Sequence, residues 1–585
     1  MNILSVEQTP LMDTTEADEL PQIEIRDTDH IAGVVEAMSY HTHALSISMG
    51  ESPTSYPVTL RGLDHERRVL SLSLLDAQSL EATEVIDQSL TLKAEGDSET
   101  LRLEAMVALE VVRKNDLLEM RCALPQTLHT TAKRNSRRVF LSKGMQVGAG
   151  ITLYENQPPI KGRLRNLSIG GALLEIPLAA SAPLKTDEFI AELELSFPNG
   201  ELFTTMGQIR HVHPSGRSHF AAIGVTFINT DRAREQRLIY LVNETERETA
   251  YRSGEGGRMS FPSPLYSSNE PDYKRSARRH LHKPQQAPMV ATLLEVTRQL
   301  HIFLLALQNQ RPLPVNCLLG SADTLLSLLN KQRQNLFYAL HCLHQEPAWV
   351  QHSLNVAVRL GDLVTSEPEH VRHAREVVVA ALVHDMGKMM LVDETLPSIE
   401  GQLDTRQRDH LRSHVAVLLD ALEGVDWPSP AMHHEVIGCV NERLDGSGYP
   451  KALKSDALSP IARMAAVVDT VDAMMRTRGD RRGKTAIEAY RYLYHRPESF
   501  DKYWVTRYIQ RHGFYPIGSL VKFSSGFLAW VMELDDSGQP RRVRVVRNLH
   551  REGHTMNDIL SRVDFAQLGK LEGLMRPEGF GLTPW

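Results

Sequence analysis

The hydrophobic pattern changes period along the chain. Between about residues 55 and 125 apolar positions alternate: Leu70, Leu72 and Leu74 are separated by serines, and Leu101, Leu103, Ala105, Val107, Leu109 and Val111 alternate with mostly polar partners. Alternation puts every second side chain on one face, so this stretch predicts a half-buried antiparallel sheet. From about 138 to 228 strand-like runs recur in GAGITLYE, KGRLRNLSIGGALLEI, FIAELELSF and FAAIGVTFI, with a Pro-Asn-Gly turn at 198 to 200. The helical spacing of DRAREQRLIYLVNETERET follows, and together these predict a small β-barrel closed by a helix. Residues 251 to 286 carry the Gly, Ser, Pro and charge bias of a linker. From about 287 to 500 the apolar spacing is helical, and GSLVKFSSGFLAWVMEL with RRVRVVRN around DDSGQP reads as a small appended sheet.

These periods give a multidomain α+β chain: two N-terminal β-barrel-like domains, then an all-α domain with a small C-terminal β subdomain. The expected boundaries are a disordered tail at 1–30, β domains at 31–128 and 129–250, a linker at 251–286, helices at 287–505 and the β subdomain at 506–585. A chain of 585 residues exceeds one hydrophobic core, which agrees with several domains.

Composition narrows the classes. With no run of about 18 apolar residues, no membrane span is expected. The acidic N-terminus lacks the basic and apolar regions of a signal peptide. Cys122, Cys317, Cys342 and Cys439 have no C-x-x-C spacing, which argues against a disulfide framework or zinc knuckle and for a reducing cytoplasm. The net charge of −7 excludes a whole-surface binder of nucleic-acid polymers, so any anion site is a local basic cluster. One stands at 133 to 138, KRNSRR.

Arg134 and Arg138 can grip phosphates bidentately or stack on bases. Asn166, Ser168 and Gly171 of NLSIGG add small polar groups and a close backbone approach. Alone, the basic run is also what a solvated linker looks like. The pairing of R-x-x-x-R with [DN]-x-S-x-x-G some thirty residues later resembles the PilZ domain, a six-stranded barrel that binds cyclic di-GMP. The β domain before it is similar to the one that precedes PilZ in flagellar-brake proteins. The resemblance implies a dinucleotide held by Arg134 and Arg138 on one side and Asn166, Ser168 and Gly171 on the other.

In the helical half, HDMGK at 384 to 388 ends an apolar run, and His352 and Asp469 also stand on apolar helices where a polar group needs a reason. A buried structural pair is the bland alternative for His384 and Asp385. The four together match the mixed N and O set of Fe, Mn or Zn. HSLNVA, HDMGK, LRSHVAVLLDAL, ERLDGSGYP, VVDTVDAM and RTRGDRR resemble, in order and spacing, the HD-GYP group of the HD phosphohydrolases. That resemblance implies hydrolysis of cyclic di-GMP at a metal cluster. It assigns His352, His384, Asp385 and Asp469 to a first metal, His414 to a second, Lys388 to charge neutralisation or proton donation, Arg478 and Arg481 to phosphate or guanine, and Tyr449 to the pocket edge.

The chain departs from that pattern. Two consecutive histidines of the group map to Val440 and Asn441, and a glutamate maps to Ala348. His433 and His434 come seven residues early, about 10 Å along a helix axis, too far to replace them. They read as surface histidines of a helix start capped by Ser429 with Pro430 in the first turn, and His410 is a weak spare ligand. The expectation is one firmly bound divalent ion and reduced phosphodiesterase activity. The alternatives are an inactive receptor or adaptor that binds cyclic di-GMP and a signalling-protein partner, or a one-metal phosphohydrolase of another nucleotide. A homodimer stays open.

Overall fold

The computed structural model describes residues 22–25, 31, 35, 44–50, 54–64, 67–74, 85–86, 88–95, 99–114, 117–125, 127–132, 138–142, 144–154, 157–215, 219–228, 231–253, 261–267, 288–425, 429–479, 481–550 and 555–584. The expected N-terminal tail therefore lies largely outside the described residues, as does Arg134. The chain divides into two compact units, residues 1–140 with 167–170, and residues 141–166 with 171–585.

The first unit holds β1 (Gln22–Ile25), β2 (Ala44–Met49), β3 (Ser55–Asp64), β4 (Val69–Leu74), β5 (Ser89–Glu95), β6 (Glu99–Lys114), β7 (Leu117–Ala123), β8 (Leu128–Ala132) and the two-residue β9 (Val139–Phe140). Six strands in the order β6-β5-β2-β3-β4-β7 close through a β6–β7 pairing, and β8 and β1 extend the β6 edge. Leu70, Leu72 and Leu74 fill this barrel as their alternation requires. The second alternating run corrects the expectation of one continuous face. Ala105 has φ +54° and the β5–β6 register slips between Leu90 and Leu92. Such a bulge reverses the phase of the strand. Leu103 is buried before it, Met106 and Ala108 after it, and Val107 and Leu109 are left about half exposed, at 52% and 57%.

In the second unit β10 (Gly148–Thr152), β11 (Ile160–Ser168), β12 (Gly171–Pro177), β13 (Phe189–Ser196), β14 (Leu202–Ser215) and β15 (Phe220–Ile228) run β10-β13-β14-β15-β12-β11. β11 pairs back onto β10, which closes a second six-stranded barrel. Helix α1 (Arg232–Ser253) follows. Within the stretch read as a linker, residues 261–267 are packed. Leu265 is fully buried, Ser263 donates its backbone N–H to Glu248, and the Tyr266 and Thr245 hydroxyls lie 2.9 Å apart.

The helices are α2 (Pro288–Gln308), α3 (Val315–His341), α4 (Ala348–Thr365), α5 (Ala374–Val383), α6 (Met386–Met390), α7 (Thr405–Arg412), α8 (His414–Ala421), α9 (Pro460–Met475), α10 (Ala486–Tyr494) and α11 (Lys502–His512). Their starts carry ordinary signals: Asp404 and Gln407 form a capping box at α7, and Ser459 accepts from the Ala462 N–H with Pro460 in the first turn of α9. A terminal sheet of β16 (Leu520–Phe523), β17 (Phe527–Leu534), β18 (Pro540–Asn548), β19 (Thr555–Ser561) and β20 (Leu571–Met575) shares one apolar core with the helices. By length and composition α2 could cross a membrane; here its Leu293, Leu300 and Leu304 are buried in that core. Away from HDMGK and the other motifs, Asp362 is clamped by Arg333 and Arg511 in four hydrogen bonds of 2.7 to 3.0 Å, tying α3, α4 and α11 together.

Candidate functional site

Beyond Arg375 and Glu376 in its first turn α5 is apolar and buried, and it delivers His384 at its end; the chain restarts as α6 with Asp385 at the N-cap position. This break puts an imidazole and a carboxylate side by side inside the protein. His352 projects from α4, Asp469 from α9 and His414 from the start of α8. All five are buried.

Their atoms converge. His352 Nε2 lies 3.0 Å from Asp469 Oδ1 and 3.4 Å from Asp385 Oδ2. His384 Nε2 lies 3.5 Å from Asp469 Oδ1 and 3.7 Å from Asp385 Oδ1, and His414 Nε2 is 3.4 Å from Asp385 Oδ1. His384 Nδ1 faces the Ala381 carbonyl and His414 Nδ1 the Leu411 carbonyl, each at 2.7 Å. A carbonyl can only accept, so each Nδ1 carries the proton and each Nε2 offers a lone pair. Both Nε2 atoms are buried without a hydrogen-bond partner. Orphaned imidazole lone pairs beside two buried carboxylates fit a divalent cation better than any arrangement of protons. Ligand atoms of His352, His384 and Asp469 all lie within 4.8 Å of one another, and among the described residues this is the group found with that geometry.

The site carries a strongly negative field. Burial disfavours a charged His352, but Asp385, Asp469 and Asp472 outweigh it and push its pKa up to about 10. Burial would raise the carboxylates, yet His352 and His384 hold Asp469 well below its ordinary range, and Lys388 with His384 does the same for Asp385. Lys388 makes a close ion pair with Asp385. Gly387 has a specific duty: a Cβ there would come within 2.1 Å of the His414 carbonyl oxygen, so only glycine lets α6 abut the start of α8.

Three residues near the cluster carry no assignment from the sequence. Asp472 Oδ2 lies 2.7 Å from His352 Nδ1 and fixes that ring, while its other oxygen is 3.8 Å from Arg359. Arg476 is half-buried, and the field of Asp472 and Asp385 reaches it. Glu442, 1% exposed, accepts from the N–H groups of Lys451 and Leu453 and so braces the loop that carries Tyr449. The Tyr449 ring meets His414 edge-on at 6.1 Å, with Arg412 over its face. Burial, then the nearby Asp385 and Asp469, push its hydroxyl pKa up. Arg478 and Arg481 are exposed; they bridge each other through the backbone, and Arg481 donates to the Ala473 carbonyl.

The departures also have places. Val440 is 1% exposed within the helical core, and the Asn441 amide nitrogen is buried without a partner. Ala348 begins α4, one turn before His352. The expected helix start holds, with Pro430 in the first turn, but not the cap by Ser429. Its side chain caps nothing and instead donates to Glu376, and only Pro430–Met432 is α-helical before a π-turn over His433–Gly438. The wider turn rotates His433 inward, where it is buried and its pKa is lowered by burial; His434 stays exposed. His433 is therefore not a surface residue; its Nε2 is buried without a hydrogen-bond partner, and neither histidine is in the group of His352, His384 and Asp469.

In the second barrel Asn166 is buried and its side-chain oxygen accepts the Leu173 N–H across the hairpin of β11 and β12. Ser168 is buried at the end of β11, and Arg138 is half exposed just before β9. A Cβ on Gly171 would come within 2.2 Å of the Val225 carbonyl oxygen, so glycine is required there by strand packing alone.

Residues 132–244 match the family described as PilZ domain, and residues 345–503 match the family described as HD domain. Among curated proteins, the cyclic di-GMP phosphodiesterase PA4108 of Pseudomonas aeruginosa is 34% identical over 164 residues, 27% of this chain and 38% of that protein. The cyclic di-GMP phosphodiesterase response regulator RpfG of Xanthomonas campestris pv. campestris is 30% identical over 147 residues, 25% of this chain and 38% of that one. The chain thus spans well under half the length of either relative. Among solved structures, YcgR from Escherichia coli in complex with c-di-GMP is 17% identical, covering 40% of this chain and 96% of its own, with a TM-score of 0.22.

Proposed function

We propose that this chain is a cytoplasmic cyclic di-GMP signalling protein, in which the PilZ barrel is the receptor and the HD half is a metal-dependent phosphodiesterase acting on cyclic di-GMP. The observation that carries the enzymatic reading is the convergence of His352, His384, Asp385 and Asp469, with His384 protonated at Nδ1 and its Nε2 lone pair left without a partner. This set would hold one divalent ion firmly, with Fe, Mn and Zn all suited to its donors. Bound there, the ion supplies Lewis-acid polarisation of a phosphoryl oxygen. Lys388 neutralises charge that develops on the phosphate or protonates the leaving oxygen. The exposed Arg478 and Arg481 approach the dinucleotide from solvent, and Tyr449 bounds the pocket beside His414.

His414 and the bridging Asp385 would be the residual protein ligands of a second ion. Val440 at a position where an imidazole would be expected favours a second reading, in which the HD half binds cyclic di-GMP and a partner protein without turning it over. Metal analysis beside product analysis separates the two. The enzyme reading expects linear dinucleotide or GMP from purified protein supplied with Mn(II) or Fe(II), and intact substrate with no retained metal would refute it. For the barrel, Arg138→Ala is expected to abolish high-affinity cyclic di-GMP binding measured calorimetrically, with binding unchanged counting against a site at Arg134, Arg138, Asn166, Ser168 and Gly171.

A further inference from the structure

The second barrel reaches the helix that links Asp385 to Lys388. α6 is only five residues long; at its end the Gly387 carbonyl accepts from the Leu391 N–H at 3.3 Å and the Met389 carbonyl from the Val392 N–H at 3.4 Å, and the carbonyls that follow lie past the helix's own donors. Lys185, on the segment between β12 and β13, supplies donors: its ammonium bonds the Met390 carbonyl at 3.1 Å and closely approaches that of Val392. Gln308, the last residue of α2, gives its side-chain N–H groups to the Met389 carbonyl at 3.3 Å and to the Ala182 carbonyl of the barrel at 2.7 Å. Further bonds seat the barrel beside them. The Thr186 N–H donates to Asn309 Oδ1 at 3.0 Å and its hydroxyl donates to the same oxygen, and Gln157 donates to the Pro397 carbonyl at 2.9 Å. Ala182 is buried in the same apolar cluster as the helices.

A cation on the last carbonyls of a helix satisfies orphan acceptors and complements the helix dipole. Here the helix so held has Asp385 at its other end. α6 is thus fixed at three points: Asp385 in the cluster, Gly387 against the His414 backbone, and its carbonyl end on Lys185 and Gln308.

We propose that Lys185 is a positioning residue of the metal centre, contributed by the barrel: by holding the carbonyl end of α6 it sets the place of Asp385 and Lys388. This rests on the metal-centre reading above. Lys185 bonds only backbone carbonyls in the helical half, so its effect passes through α6.

The test uses the full chain with Lys185→Met, Lys185→Arg and, as a control for barrel seating, Thr186→Ala. Amide exchange over residues 386–397 is followed by mass spectrometry without added metal, and Mn(II) binding is titrated separately. Lys185→Met is expected to speed exchange in that segment and to weaken Mn(II) binding about tenfold, the effect of losing an outer positioning group. Lys185→Arg, which still offers donors to both carbonyls, is expected to restore both, and Thr186→Ala to leave both as in wild type. The proposal is overturned if Lys185→Met matches wild type in Mn(II) affinity, or if Thr186→Ala equals it, since general loosening of the barrel would then suffice. Loss of protected amides throughout the Lys185→Met chain, with Lys185→Arg equally weak for Mn(II), overturns it too. A wild type that binds no Mn(II) removes the metal-centre reading itself; a wild type that binds it while Lys185→Met is unaltered removes only this role.

Discussion

Two sides of one carboxylate are built differently. On one side of Asp385, His352, His384 and Asp469 come from three helices, and both imidazoles are held from behind: His352 by Asp472, His384 by the Ala381 carbonyl. On the other side His414 is equally well aimed, its Nδ1 tied to Leu411 and its Nε2 3.4 Å from Asp385. What is missing there is company. Val440 has joined the apolar core, and Asn441 offers a neutral amide whose nitrogen finds no partner. A ligand depends on one side chain, whereas the frame that aims its neighbour is built from backbone carbonyls and packing. The difference teaches that a preserved frame alone does not report how many ions a site holds.

The comparison can be broken at several points. Asp385→Asn removes the shared carboxylate and is expected to have the largest effect, with retained metal falling to near zero and hydrolysis of cyclic di-GMP falling by roughly a thousandfold, read by metal analysis and product chromatography. Asp472→Asn leaves every direct ligand in place but frees the His352 ring. Mn(II) affinity is expected to fall about 10- to 100-fold in a binding titration. Val440→His combined with Asn441→His tests the incomplete side, with retained metal expected to rise toward two ions and turnover to rise about tenfold. Burying an imidazole in place of Val440 costs about 1–3 kcal/mol of stability where it finds no partner, so the thermal midpoint should drop.

Asp362 gives the smallest effect at the metal centre and the sharpest control. It too is a buried carboxylate, but guanidiniums surround it, and they overcome burial to hold its pKa down to about 2. Asp362→Asn is expected to leave the metal count unchanged while lowering stability by about 3–5 kcal/mol in denaturant unfolding. For the wild-type residue the folded pKa lies below the unfolded value of about 3.9. Its contribution is therefore present above about pH 4 and lost as pH falls through about 2.

Much of this was legible in the residues. Period alone separated strands from helices, and HDMGK, His352 and Asp469 stood out because polar groups in apolar helices are costly. Asp472 went unassigned although it lies three residues after Asp469, a spacing that puts both on one face of α9. Its role appears only once α4 is packed against that face. The bulge at Ala105 was not legible, because an alternating pattern carries no mark of where the backbone inserts an extra residue. The inward turn of His433 depends on a π-turn that the sequence disguises as an ordinary proline-led helix start. Lys185 was out of reach for a different reason: its partners are backbone carbonyls more than two hundred positions away, and such acceptors leave no residue-type signature.

The central claim is one complete and one incomplete metal position around Asp385. The most direct test is the number of ions retained per chain after loading the wild-type protein with Mn(II) and desalting it, measured by mass spectrometry of the metal. The account predicts one ion per chain, and two firmly retained ions, or none, would contradict it.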